Sequence, residues 1–195
     1  DKDGAAGIPG LYAAGEETGN FRGDIGGSAV YGRIAGEKAA EYVKTVQDAD
    51  AAEGAAFVEE RAAFYEELFQ RPNDTSNPNW YEANLALQQI MTDYAGIEVR
   101  SEKLFRAGLT YLRRLRDKAT ATISCGNSHE FMRCLETLDL MLIGELLMLC
   151  ARERKETRGK HVRVDYPYTN PLNNDRFIKI TRRDGADVVE WRDRH

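Results

Sequence analysis

The sequence predicts a mainly α fold: a helical bundle, preceded by a strand–glycine loop–helix piece and followed by a C-terminal β-hairpin. Three observations carry this. Residues 49–158 keep helical apolar spacing almost throughout, broken only by short turn clusters. Residues 1–48 are rich in glycine. Residues 159–195 read as extended chain, with alternating apolar residues around an Asp-Gly pair. These three stretches are the expected domains.

In the first stretch, Gly10-Leu11-Tyr12-Ala13-Ala14-Gly15 reads as a short apolar strand bounded by glycines. Asn20 to Gly27 carries three glycines and is expected to be irregular. Ser28 is the expected N-cap of a helix whose apolar positions are Val30, Tyr31, Ile34, Ala35, Ala39 and Val43. In the second stretch, the first helix runs from about Ala51 to Gln70 and stops before Pro72. A turn cluster over residues 72–78 follows, then a helix from about Asn79 to Tyr94 that ends near Gly96. Ser101 is the N-cap expected for the next helix, which carries Leu104, Phe105, Leu109, Leu112 and Leu115. The last helix, about Ser128 to Lys155, is the most apolar. Phe131, Leu135, Leu138, Leu142, Leu146 and Leu149 fall on one face, and Met132, Leu140, Met141, Ile143 and Leu147 cover much of the rest. A helix apolar nearly all round belongs at the centre of a bundle. In the third stretch, residues 176–182 alternate like a strand, Asp184-Gly185 signals a hairpin turn, and Val188, Val189 and Trp191 form the return strand.

Composition excludes several classes. Hydrophobic residues make up 42% and charged residues 30%, a balance that supports a packed core rather than disorder. The net charge of −5 gives no global attraction to nucleic acid or anionic membrane. The longest apolar stretch, Leu138 to Cys150, is shorter than the ~20 residues of a spanning helix and contains Asp139 and Glu145, so direct membrane insertion is not expected. The three cysteines, Cys125, Cys134 and Cys150, have no CxxC spacing. On one helix, Cys134 and Cys150 would stand ~24 Å apart, too far to bridge. Reduced thiols in a reducing, cytoplasmic compartment follow.

The informative residues are Gly10-Leu11-Tyr12-Ala13-Ala14-Gly15-Glu16 and then Gly26-Gly27-Ser28-Ala29-Val30-Tyr31-Gly32-Arg33. A carboxylate just past a strand end can hold a ligand hydroxyl. Paired glycines let backbone approach a flat or anionic ligand, and a helix starting there aims its N–H groups and positive dipole end at it. The two strings together resemble an FAD-contacting segment of the fumarate reductase/succinate dehydrogenase flavoproteins, a family that includes L-aspartate oxidase. The resemblance extends to Ala95-Gly96-Ile97-Glu98-Val99-Arg100-Ser101, which looks like the start of the family's C-terminal helical domain. It extends also to Arg154-Lys155-Glu156-Thr157-Arg158-Gly159-Lys160-His161-Val162-Arg163-Val164-Asp165-Tyr166-Pro167, similar to the family's R-x-E-S-R-G-x-H-x-R-x-D-Y-P element with Thr157 in place of serine.

The resemblance implies that residues 1–48 are the end of an FAD-binding α/β domain. It implies that Glu16 binds the ribityl or ribose hydroxyls of FAD, and that Gly26, Gly27, Ser28 and Ala29 lie against the isoalloxazine. The implied activity is hydride transfer between flavin and an activated carbon–carbon bond of a small-molecule substrate. Two alternatives stand beside it: amine oxidation of the L-aspartate oxidase kind, and a non-catalytic helical module that docks an electron-transfer subunit, which would place the protein at the membrane periphery. The family's fumarate and succinate enzymes have N-R-L-G-G before the helix, whose arginine grips a substrate carboxylate. Here the string is Phe21-Arg22-Gly23-Asp24-Ile25-Gly26-Gly27, so Asp24 stands at the arginine's place and Arg22 is the candidate for the substrate carboxylate. The phosphate-binding G-x-G-x-x-G is absent from these 195 residues, so the chain alone is expected to be inactive and to purify without flavin.

The remaining polar residues read as structural. Glu136, Asp139 and Glu145 lack the Glu-x-x-His pairing of di-iron bundles and are expected to be partners of Arg133, Arg152 or neighbouring helices. Glu156, Arg158, Arg163 and Asp165 are expected to form a charge network at the end of the central helix. His161 is expected to hydrogen-bond locally. Trp80 and Tyr81 read as a packing anchor, and Tyr12 and Tyr31 as core or flavin-side aromatics.

Overall fold

The computed structural model describes residues 1–15, 25–48, 50–72, 75–97 and 100–193, with only the backbone of residues 51 and 53. Its elements are α1 (Ile25–Val43), α2 (Ala51–Gln70), α3 (Trp80–Ala95), α4 (Glu102–Thr122), α5 (Ser128–Glu153), a short 3-10 turn (Pro171–Asn173), β1 (Arg176–Arg183) and β2 (Ala186–Asp193). The chain divides into two compact units, Asp1–Glu59 and Glu60–His195.

In the first unit, the expected strand over residues 10–15 is reduced to one bridge between Ala5 and Tyr12. The Ala6 N–H donates to the Leu11 carbonyl at 3.0 Å and the Ala13 N–H to that of Gly4 at 2.8 Å. Gly7 and Gly10 both have positive φ, so the chain turns back too soon for a longer ladder. Gly4 is the close approach in this unit: a β-carbon there would lie 2.9 Å from that of Ala35, the buried residue of α1. α1 itself starts at Ile25, so Gly26 to Ala29 form its first turn and Ser28 is not its N-cap. Glycine costs about 1 kcal/mol in a helix interior, but a first turn has fewer intrahelical bonds to lose.

The second unit is a bundle of α3, α4 and α5 against which the hairpin packs through Ile180 and Val189. Caps set the helix starts. Asn79 accepts from the Tyr81 and Glu82 N–H groups while Glu82 accepts from the Asn79 N–H, a reciprocal capping box. Ser101 accepts from Leu104 N–H and Asn127 from Glu130 N–H. The main core holds Leu87, Phe105, Leu109, Leu112, Met141 and Met148. A second cluster joins Leu68 of α2 to Ile123, Cys125 and Cys134. The three cysteines are free thiols, and burial pushes that of Cys134 up to about 12.

α5 does lie at the centre, touching α3, α4, β1 and β2, but by a different face than expected. Cys134, Thr137, Met141, Gly144, Glu145 and Met148 are buried, whereas Leu142 is exposed and Leu138 only half-buried. Close approach decides the face. A β-carbon at Gly144 would come within 3.0 Å of the Met91 sulfur and 3.4 Å of Leu112, so α3 and α4 nest on that glycine. In the hairpin, β1 pairs antiparallel with β2 from Arg176↔Asp193 to Arg183↔Ala186. Asp184 and Gly185 at the turn both take positive φ, as a two-residue I′ turn requires.

Candidate functional site

Two constellations emerge, one in each unit. The first is the start of α1. Gly26, Gly27, Ser28 and Ala29 lie together on its first turn, which carries no acidic side chain. Gly26 and Ala29 are exposed, and Gly27 and Ser28 half-buried. An exposed helix N-terminus with two residues that lack β-carbons fits the flat, partly anionic face of a flavin. Glu16 and Arg22, the expected hydroxyl and carboxylate ligands, lie outside the described residues, as does Asp24. Tyr12 is half-buried and Tyr31 exposed.

The second is a polar hub beyond the end of α5, built from residues 154–165. Arg163 is completely buried. Its Nε and one terminal nitrogen donate to the two oxygens of Asp165, each at 2.7 Å, and its other terminal nitrogen donates to the Ala151 and Arg152 carbonyls at 3.0 Å. Its guanidinium also lies over the Phe105 and Tyr166 rings. Asp165 in turn accepts from the Glu102 N–H at 2.8 Å. One ion pair thereby puts a cation at the C-terminus of α5 and an anion at the N-terminus of α4, each complementing the local helix dipole. The Arg163 guanidinium and the Glu102 N–H outweigh desolvation and hold the Asp165 carboxyl down at about 2.

Glu156 is equally buried and accepts from five donors. Oε1 receives Arg154 at 2.6 Å and the Asn173 amide at 3.2 Å; Oε2 receives two nitrogens of Arg158, at 3.0 and 3.3 Å, and the Asn170 N–H at 2.9 Å. Burial alone would raise its pKa, but these donors outweigh burial and hold it at about 2. His161 bridges two segments: Nδ1 lies 2.9 Å from an Arg100 nitrogen and Nε2 2.9 Å from the Arg154 carbonyl. Arginine can only donate, so Nδ1 accepts and Nε2–H donates, which fixes one neutral tautomer. Burial first, and then the nearby arginines, lower its pKa. The Thr157 hydroxyl accepts from the Arg163 N–H at 2.9 Å and lies 3.0 Å from the Tyr166 carbonyl, so threonine preserves the hydroxyl that serine would supply.

The hub therefore gathers Glu156, Arg158, Arg163 and Asp165, and gives His161 the local bonding expected of it. Its side chains are spent on one another and on backbone, which makes it a staple rather than a reaction centre. The sequence missed Arg100, Asn170 and Asn173. Arg100 stands in the string already singled out at residues 95–101, but its partner is 61 residues away. Elsewhere, Glu136 pairs with Arg133 as expected, and buried Glu145 pairs with Arg113 and Arg116 of α4 rather than with Arg152 of its own helix, because α4 packs directly on its buried face. Trp80 packs into the second cluster, beside exposed Tyr81. Among the described residues there is no group of three His, Cys, Asp or Glu placed to hold a metal, and no helix long and apolar enough to cross a membrane.

The family model described as fumarate reductase flavoprotein C-term matches residues 84–192, more than half of the chain. Curated relatives include an uncharacterized FAD-dependent oxidoreductase of Methanocaldococcus jannaschii, 29% identical over 83% of this chain and 30% of its own length. The L-aspartate oxidase of Yersinia pestis is 36% identical over 46% of this chain and 15% of its own length, and that of Pseudomonas aeruginosa 28% identical over 91% and 32%. Among solved structures, Mycobacterium smegmatis Sdh1 in complex with UQ1 superposes on the whole chain with a TM-score of 0.79 at 28% identity, over 34% of its own length. Quinol fumarate reductase of Escherichia coli does so over 86% of the chain and 29% of its own length, with a TM-score of 0.69 at 26% identity. The chain spans about a third or less of the length of each of these relatives.

Proposed function

The chain belongs to the fumarate reductase flavoprotein C-terminal family, and from that premise we propose that it serves as the C-terminal part of an FAD-dependent oxidoreductase. In this reading residues 1–48 end the FAD-binding domain, residues 49–158 form the helical domain and residues 159–195 the extended segment. The observation that carries the reading is the pairing of the family match over residues 84–192 with a partly exposed, glycine-paired helix start at Gly26 and Gly27 that bears no acid in its first turn. Bound FAD would supply the capacity to accept and donate a hydride. Gly26 and Gly27 would let the backbone of α1 approach the isoalloxazine, Ser28 and Ala29 would line it, and Glu16 would accept hydrogen bonds from sugar hydroxyls. Arg22 is the proposed grip on a substrate carboxylate. The helical domain would offer the docking face for an electron-transfer subunit, with peripheral membrane association following from that partner.

Hydride transfer to an activated carbon–carbon double bond is the leading chemistry. Oxidation of an amino acid is the second, because L-aspartate oxidases stand among the relatives at 28–36% identity. Anaerobic stopped-flow spectroscopy of the FAD-loaded flavoprotein separates them. Reoxidation of reduced flavin by fumarate, with no bleaching of oxidised flavin by L-aspartate, supports the first; bleaching by L-aspartate, whether oxygen or fumarate then reoxidises the flavin, supports the second. A flavoprotein that responds to neither contradicts both.

A further inference from the structure

A cavity of about 430 Å³ lies between α4, α5 and the hairpin, on residues to which the flavin reading gives no role. Its charged lining is Arg113 and Arg116 from α4, Glu145 and Arg152 from α5, and Arg182 and Asp187 from the hairpin. Four guanidinium groups thus meet two carboxylates in a chain whose net charge is −5. Both carboxylates are already committed. Glu145, only 4% exposed, accepts from Arg113 on one oxygen and Arg116 on the other. Asp187 accepts from Arg182. The half-buried Arg152 side chain makes no hydrogen bond or ion pair with any described residue.

We propose that this cavity is a binding site for a small oxyanion of two or more negative charges, a phosphate or a polycarboxylate. Two positive charges are left uncompensated within one concave surface, and like charges held together favour an incoming anion. Glu145 does not neutralise the site; it fixes Arg113 and Arg116 in one orientation, so their remaining N–H groups are preorganised rather than recruited. Three elements contribute cations to one pocket, unlike the Arg–Glu pairs at three- and four-residue spacing along α2, α4 and α5. Planar forks suit carboxylate and phosphate oxygens, which two parallel N–H bonds can grip.

Isothermal titration of the full chain with inorganic phosphate and with citrate, at fixed ionic strength set by chloride, tests the proposal. Saturable binding of at least one is expected. Arg152→Gln should weaken it roughly tenfold or more, the loss of one charge-assisted contact. Arg114→Gln removes the same charge from an exposed position of α4 outside the cavity, and should change affinity by less than about twofold. Binding of phosphate alone, or of citrate alone, identifies which source of the oxyanion the site takes. Arg113→Lys keeps the charge but not the fork, and should weaken binding several-fold even if Arg152→Gln does not fold. Equal weakening in the Arg152 and Arg114 variants, or no saturation by either anion, would mean an adventitious ion only and overturn the proposal.

Discussion

Asp165→Asn tests whether the hub is the staple that holds the helical unit together. The substitution keeps the size and removes the charge that Arg163 faces. Two lines of reasoning give the magnitude. The Asp165 carboxyl falls from an ordinary 3.8 to about 2 in the fold, which at ~1.4 kcal/mol per pH unit corresponds to roughly 2 kcal/mol. Separately, removing one partner of a buried pair costs about 3–5 kcal/mol, because the remaining charge is left uncompensated, and Arg163 is 0% exposed. Asp165 is itself 29% exposed, and asparagine can still accept from Arg163 or from the Glu102 N–H, so the lower figure is the better guide. A loss of about 2–4 kcal/mol is therefore expected in urea unfolding at neutral pH, followed by far-UV circular dichroism. Glu136→Gln breaks a pair whose side chains are 45% and 49% exposed, and should cost less than about 1 kcal/mol. If Asp165→Asn unfolds within 1 kcal/mol of the parent chain, the pair contributes nothing that holds α4 and α5 together and the staple reading is wrong.

Two further outcomes follow from the same network and core. Asp165 and Glu156 both have folded pKa values depressed to about 2, so their stabilisation is complete above pH ~5 and is lost as pH falls towards 2; urea midpoints measured from pH 6 to 2 should drop steeply, and less so in Asp165→Asn. His161 is also depressed, so it adds to stability above its ordinary 6.5 and opposes folding as acid protonates it, a slope that His161→Asn should remove. Gly108→Ala should destabilise by about 1–3 kcal/mol in the same assay despite the helix propensity of alanine, because its β-carbon would lie 2.6 Å from that of Tyr94 and 3.1 Å from Met148. Gly36→Ala, where the added carbon meets nothing within 4 Å, should be neutral or stabilising.

Local signals made much of this fold legible. Gln70 ends α2 as Pro72 requires, Ser101 caps α4 through its own hydroxyl, and Asp184-Gly185 turns the hairpin, because each feature is settled within a few residues. The buried face of α5 was not legible. With leucine, methionine and isoleucine nearly all round, apolar periodicity carries no phase, and the deciding residues were small or charged: Gly144, which admits α3, and Glu145, held by two arginines of α4. The start of α1 at Ile25 is not legible either, because a glycine pair reads as loop in isolation. In the hub, the family element announced Glu156 and Arg163 as charged partners, but not that both would be fully buried, nor that Arg100 would cap His161 from 61 residues away. Such pairings depend on how helices stack, which local sequence does not encode.

The most direct test of the flavin assignment is a titration of apo-flavoprotein with FAD in Glu16→Ala and Glu17→Ala variants. A carboxylate accepting one or two hydrogen bonds from sugar hydroxyls contributes on the order of 1.5–3 kcal/mol. Glu16→Ala should therefore weaken FAD binding roughly 10- to 150-fold, while Glu17→Ala, to which the family resemblance gives no hydroxyl contact, binds FAD nearly as the parent does. Equal loss in both variants, or loss in neither, would contradict the placement of Glu16 against FAD and with it the alignment of this loop to the flavoprotein site.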